Sequence, residues 1–191
     1  MKTAYTVYCD LHIFSPIEMM AEELINLLPS PYIILNGDIV DRAGCKKSEV
    51  DAATALYRRL KKAHGDNYVD GNHERAGFGN VMTIRNTDSG KAIFAHGDLE
   101  SNLLKWNEYR NQPHGAGFFK RKFIIPFIRE AEEIIDRKPK KDFLDNVAVL
   151  CADWGAKIFV AGHFHVKEKV EVIHKGIRVI ILPRGKTTLL L

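Results

Sequence analysis

Cysteine is scarce in this chain. Cys9, Cys45 and Cys151 are the three among 191 residues. They are odd in number, widely spaced and without a CxxC pair, which argues against a disulfide framework or a thiolate zinc site. Each is expected to be a small, buried, reduced thiol. Long apolar runs are missing too: none reaches the roughly 18 to 20 residues of a membrane span. Asp10 interrupts the N-terminal stretch before an apolar signal-peptide region can form, so no signal peptide is read and a cytoplasmic location is expected. There is no internal repeat and no low-complexity segment. What remains, 46% hydrophobic and 27% charged residues, is the balance of an ordinary globular domain, long enough to bury one core without disulfides. A single domain spanning 1–191 is expected.

The net charge of +4 is unevenly placed. Between Ser101 and Lys141 ten basic residues face five acidic ones, which leaves 18 basic and 19 acidic residues in the rest of the chain. The same stretch carries Trp106, Tyr109, Phe118, Phe119, Phe123 and Phe127. It reads as a basic, aromatic, helical insert at about 101–141, with a GlnProHisGlyAlaGly loop at 112–117 and a kink or new helix at Pro126. Such a surface can meet a lipid or a nucleic acid, or can simply be a solvated helix face.

Five short apolar runs bounded by turn residues read as strands: Thr3 to Cys9, Tyr32 to Leu35, Asn67 to Val69, Lys91 to Ala95 and Lys157 to Ala161. Spacings of three and four predict helices over Ile17 to Leu28 and Ser48 to Ala63, and a further helix over Phe143 to Trp154. Hairpins are predicted from Val81 to Arg85 with Lys91 to Ala95, and from Lys169 to Ile173 with Ile177 to Leu182. Strands alternating with helices imply a sheet covered by helices.

The chemistry sits just after the strands. In order the five are followed by DLH (Asp10, His12), GDIVDR (Asp38, Asp41, Arg42), GNHE (Asn72, His73, Glu74), HGD (His96, Asp98) and GHFH (His163, His165). Five of the eight histidines fall in these blocks. Open sheets of this class build their sites at the carboxyl ends of strands. Imidazole and carboxylate donors without thiolate suit Mn²⁺, Fe, Zn²⁺ or Ni²⁺. Seven such ligands around two ions, with one carboxylate shared, would hold a pair about 3.5 to 4 Å apart, an arrangement suited to phosphate chemistry.

These five motifs, over Asp10 to His165, resemble the signature set of the calcineurin-like metallophosphoesterase superfamily. The resemblance implies an α/β four-layer sandwich, two mixed β-sheets flanked by helices, with a dimetal site at one edge. It implies that Asp10, His12 and His165 hold one divalent ion and Asn72, His96 and His163 the other, with Asp38 between them. Manganese is the expected metal, with Fe, Zn, Ni or Mg as alternatives. The activity it implies is hydrolysis of a phosphate ester or pyrophosphate bond by a metal-bridging hydroxide. His73 would be the general acid rather than a ligand, Asp41 would orient it, and Arg42 would clamp the phosphate.

The resemblance divides over substrate. GDIVDR with GNHE is similar to phosphatases acting on phosphomonoesters. HGD, a helical insert and then GHxH is similar in layout to UDP-2,3-diacylglucosamine pyrophosphohydrolases. The expected substrate is a phosphorylated small molecule, a phosphomonoester or a small or lipid-linked nucleotide. The alternatives are a metal-dependent nuclease, using Lys120 to Lys122 and Lys138 to Lys141 on a phosphate backbone, and a non-catalytic partner-binding module on the same fold. Glu74 with Arg75 is expected to be a solvated pair at the loop edge, and His64, His114 and His174, outside the motifs, are expected on the surface. Asp98 is expected either to support His96 or to cap a helix.

Overall fold

A computed structural model describes residues 2–13, 19–28, 30–42, 48–74, 80–97 and 139–191. Nine strands are present among them: β1 (Ala4–Cys9), β2 (Ile33–Asn36), β3 (Tyr68–Val69), β4 (Met82–Thr87), β5 (Gly90–Ala95), β6 (Ile158–Ala161), β7 (Val170–His174), β8 (Ile177–Ile181) and β9 (Gly185–Leu190). The helices are α1 (Met19–Asn26), α2 (Val50–His64) and α3 (Lys141–Trp154), with one 3₁₀ turn at Gly65–Asn67.

The strands form two mixed sheets, ordered β3-β2-β1-β9 and β4-β5-β6-β8-β7. In the first, β1, β2 and β3 run parallel and β9 lies antiparallel to β1. In the second, β5, β6 and β8 are parallel, and β4 and β7 close its edges as antiparallel hairpin partners.

Alternation along the strands explains the stacking. Tyr5, Val7 and Cys9 of β1, Ile34 of β2, Ala92 and Phe94 of β5, and Ile158 and Val160 of β6 share one buried layer between the sheets. The residues between them face outward: Tyr8 and Leu35 pack with α1 and α2 through Ala21, Leu24, Ala53, Leu56 and Leu60. Ile93, Phe159, Val179 and Ile181 pack against Phe143, Val147 and Cys151 of α3. The order is thus helices, sheet, sheet, helix, the four-layer sandwich expected. A period of two in every central strand makes both faces apolar, and burying each large aliphatic or aromatic side chain contributes roughly 1.5 to 3 kcal/mol.

Several expectations need correction. The 3₁₀ turn takes Asn67, so the third strand is only Tyr68–Val69. Helix α1 is described from Met19 to Asn26. Strand β9 was not expected at all, because Gly185-Lys186-Thr187-Thr188 carries no apolar run and edge strands need only one apolar face. His64 is not a surface residue: it is buried at the end of α2, with Nε2 2.8 Å from the Leu24 carbonyl oxygen, tying α2 to α1. Cys9 and Cys151 are free and buried, as expected. The insert up to residue 138, with Cys45, Arg75, Asp98 and His114, lies outside the described residues.

Candidate metal centre

The carboxyl ends of β1, β2, β3, β5 and β6 converge on one edge of the sandwich, and the motif residues follow them. The backbone there is unusual. Six described residues other than glycine have φ between 48° and 68°, and five of them are Asp10, His12, Asp38, His163 and His165. The left-handed region costs a non-glycine residue about 1 kcal/mol or more. The chain adopts it here because a strand that simply ran on would carry these side chains past one another.

The loops also touch at backbone distance. A Cβ at Gly71 would collide with the Asp38 amide nitrogen, and one at Gly162 would lie 2.9 Å from Cys9 Cβ. Only glycine permits these approaches. Asp10 accepts hydrogen bonds from the His163 amide at 3.1 and 3.0 Å, and Asp38 accepts one from the His73 amide at 2.8 Å. The GHFH and GNHE loops therefore each rest on a carboxylate that follows another strand.

Three groups of side chains place all their donor atoms within 4.8 Å of one another: Asp10–His12–His165, Asp38–His96–His163 and His12–Asp41–His73. In the second, His96 Nε2 is 3.1 Å from Asp38 Oδ2, 3.2 Å from His163 Nδ1 and 3.0 Å from Asn72 Oδ1. Donor atoms bound at about 2.0 to 2.2 Å to a common ion lie roughly 3 to 3.5 Å apart, so the spacing fits a cation. In the first, His165 Nε2 is 3.6 Å from Asp10 Oδ1, and the His12 and His165 rings are 5.6 Å apart. The His12 Nε2 atom is buried without a hydrogen-bond partner among the described residues, which suits a lone pair meant for a metal. Asp10, Asp38 and Asp41 are all almost fully buried. Three carboxylates so close together need positive charge nearby, which divalent ions would supply. The residues present thus fit metal ions.

His12 and His73 show how the site separates two like groups. Their rings are 4.6 Å apart. Burial pushes His12 down to about 4, although Asp38 and Asp10 pull the other way. It is therefore neutral near pH 7, the form in which imidazole binds metal. Burial acts in the same direction on His73, but Asp38 and Asp41 outweigh it and raise it to about 9. The His73 Nδ1 atom lies 2.8 Å from Asp41 Oδ1, so the Asp41 carboxylate orients and supports the charged ring. Burial opposes ionisation of Asp10 and Asp38, yet both carboxyls are held below their ordinary range, Asp10 by His165 and His96, Asp38 by His96 and His73.

Arg42 lies beside this group, anchored to the scaffold. Its Nε donates to Thr54 Oγ1 at 3.2 Å and its Nη1 to the Glu74 carbonyl at 2.6 Å, while the guanidinium rests 5.6 Å over the Tyr57 ring. Glu74 is a second correction. Far from being solvated, it is fully buried and accepts hydrogen bonds from the amides of Asp38 (2.8 Å), Ile39 (2.6 Å), Val40 (3.0 Å) and Gly71 (2.7 Å) and from the Tyr68 hydroxyl (3.0 Å). One carboxylate thus ties the GDIVDR loop to the GNHE loop. Its place as the last residue of GNHE was the one signal that could have marked it. His174 sits far from the site in the β7–β8 hairpin, paired with Asp145 at 2.8 Å.

The calcineurin-like phosphoesterase family matches residues 6–167, which takes in all five motifs. The chain belongs to that family. No curated protein matches it in sequence. Among solved structures, a phosphoesterase-like protein of Streptococcus pneumoniae shares 14% identity at a TM-score of 0.46, covering 99% of this chain and 84% of its own. The Vps29 of Chaetomium thermophilum shares 11% at 0.48, with 98% and 72% covered. A cold-active protein tyrosine phosphatase shares 14% at 0.44, with 99% and 74% covered. At this distance the three add nothing to the family assignment. Like other calcineurin-like phosphoesterases, this chain carries His and Asp groups able to hold divalent metal, and among the described residues no helix is long and apolar enough to cross a membrane.

Proposed function

We propose that the protein is a dimetal-dependent phosphoesterase, hydrolysing a phosphate ester or pyrophosphate bond in a phosphorylated small molecule, with a phosphomonoester or a small or lipid-linked nucleotide as the substrate class. The observation that carries this reading is the pair of donor groups, Asp10–His12–His165 and Asp38–His96–His163, flanked by the His73–Asp41 pair. When bound, two divalent ions acidify water to supply a nucleophile and offset the charge of phosphate oxygens. The nitrogen and oxygen donors suit manganese, with iron, zinc, nickel or magnesium as alternatives.

The chain's own residues do the rest. Asp10, His12, Asp38, Asn72, His96, His163 and His165 bind and space the ions. His73 keeps a proton on its ring at neutral pH and donates it to the departing alkoxide, while Asp41 holds the ring in place. Arg42, anchored by Thr54 and Glu74, presents its charge to the phosphate.

The test is an activity panel with added Mn²⁺, using monoester, diester and pyrophosphate substrates, run beside His73→Ala. His73→Ala is expected to lose about 10²- to 10⁴-fold on an alkyl phosphate and far less on nitrophenyl phosphate, whose leaving group needs no proton. Equal losses on both would remove His73 as the acid. Metal-loaded wild type that hydrolyses none of the panel would overturn the enzymatic reading in favour of a partner-binding module.

A further inference from the structure

Asn36 is out of keeping with its surroundings. It ends β2 on the face that looks into the apolar layer between the sheets, two residues beyond Ile34, and it is fully buried. Its Nδ2 donates to two backbone oxygens of the other sheet, Ala95 at 3.1 Å on β5 and Val160 at 3.3 Å on β6. An amide nitrogen has two hydrogens, so both are used. Its Oδ1 is buried with no hydrogen-bond partner among the described residues. An aliphatic side chain, as at Ile34, would fill this position without the penalty of desolvating that oxygen. Departures of this kind concentrate where function needs a particular geometry.

The three strands joined by Asn36 carry one half of the metal centre. Asp38 lies two residues beyond Asn36, His96 directly follows Ala95, and His163 is three residues beyond Val160. Apolar contact between sheets is non-directional and resists sliding weakly, whereas two hydrogen bonds fix direction and distance. In the Asp10–His12–His165 group, Asp10 and His12 follow β1, which the Asn36 side chain does not bond, and only His165 shares β6 with the other group.

We infer that Asn36 is a positioning residue that sets the spacing of Asp38, His96 and His163 for metal, and leaves the Asp10–His12–His165 group largely to its own supports. This rests on the dimetal reading above. The test is calorimetric titration of metal-free protein with Mn²⁺ for wild type, Asn36→Leu and Asn36→Ser, with His96→Ala and His165→Ala as markers for the two sites. Thermal melts in excess EDTA record the stability of each metal-free protein. In Asn36→Leu the site that His96→Ala removes should weaken tenfold to a hundredfold, the range for residues that orient ligands, while the site that His165→Ala removes stays within about twofold. Asn36→Ser, which keeps one donor, should fall between wild type and Asn36→Leu. If Asn36→Leu does not fold, the same site selectivity in Asn36→Ser is required.

Unchanged affinities overturn the inference, as do equal losses at both sites alongside a lowered EDTA melt, which would mean a structural role only. Wild type that binds no divalent ion overturns the dimetal reading and this inference with it. Wild type that binds two ions, with variants that lose no site selectively, overturns this inference alone.

Discussion

The strand ends of the metal centre and the tip of the β7–β8 hairpin are built from the same residues to opposite effect. At the first, Asp10 and Asp38 are out of water, hemmed in by imidazoles and held in left-handed backbone. At the second, Asp145 stays a third exposed between His174 and Lys175, and Lys175 too is left-handed, at φ 48°. In the hairpin the torsion serves the two-residue turn Lys175–Gly176 and the carboxylate is partly solvated, so nothing further is required. At the strand ends no turn accounts for five such residues, and the carboxylates are buried. Residue type alone therefore does not mark a site; the burial of several carboxylates and imidazoles together does.

The sharpest way to break this contrast is the same carboxylate-to-amide change in both regions. Asp38→Asn is expected to abolish tight binding of at least one Mn²⁺ and to lower activity on the order of 10³-fold or more, since several kcal/mol of charge stabilisation depend on the ions. Calorimetry and turnover on nitrophenyl phosphate measure both. A variant that kept wild-type affinity would refute the metal centre.

Glu74 tests a buried carboxylate that faces backbone donors instead of imidazoles. Glu74→Leu strands four amides and should destabilise the fold by about 3 to 5 kcal/mol, read by denaturant unfolding of the metal-free protein. A loss below about 1 kcal/mol would show that the loops hold their shape without it. Tyr68→Phe removes one donor to the same carboxylate and should cost about 1 kcal/mol in the same measurement.

The smallest effect is expected at the hairpin. Hydrogen bonds from Lys175 and His174 hold the Asp145 carboxyl down at about 2, below the ordinary Asp value near 3.9. A depressed carboxyl contributes stability above its unfolded value and loses it as pH falls through the folded one. Wild type and Asp145→Asn should therefore differ by a small, constant amount from pH 5 to pH 8, with the gap closing between about pH 4 and pH 2. A gap that widened on acidification would contradict the assignment.

The motifs were legible because each pairs a β-branched run with a turn and polar donors within six residues, a local pattern. A sheet covered by helices was legible in the alternation of apolar runs with helical spacing, whereas the four-layer order came only with the family resemblance, because which sheet a strand joins is decided by pairings between distant residues. Glu74 was not legible: a glutamate before an arginine reads as surface, and only the amides of Asp38 to Val40, over thirty residues upstream in the chain, bury it. Asn36 failed to stand out because asparagine beside glycine reads as a turn, while its partners lie 59 and 124 residues away. His64 and β9 escaped likewise, the one paired across helices and the other defined by its pairing with β1.

The Asp10 carboxylate and the His163 amide that meets it are separated by 153 residues. At ribosomal rates of about 5 to 20 residues per second, roughly 8 to 30 seconds pass between the appearance of the first and the second. During that interval the nascent polypeptide carries Asp10, Asp38 and their nearer histidines without His163 and His165. A cluster assembled across so long a stretch closes only after β6 and the loop that follows it have been made.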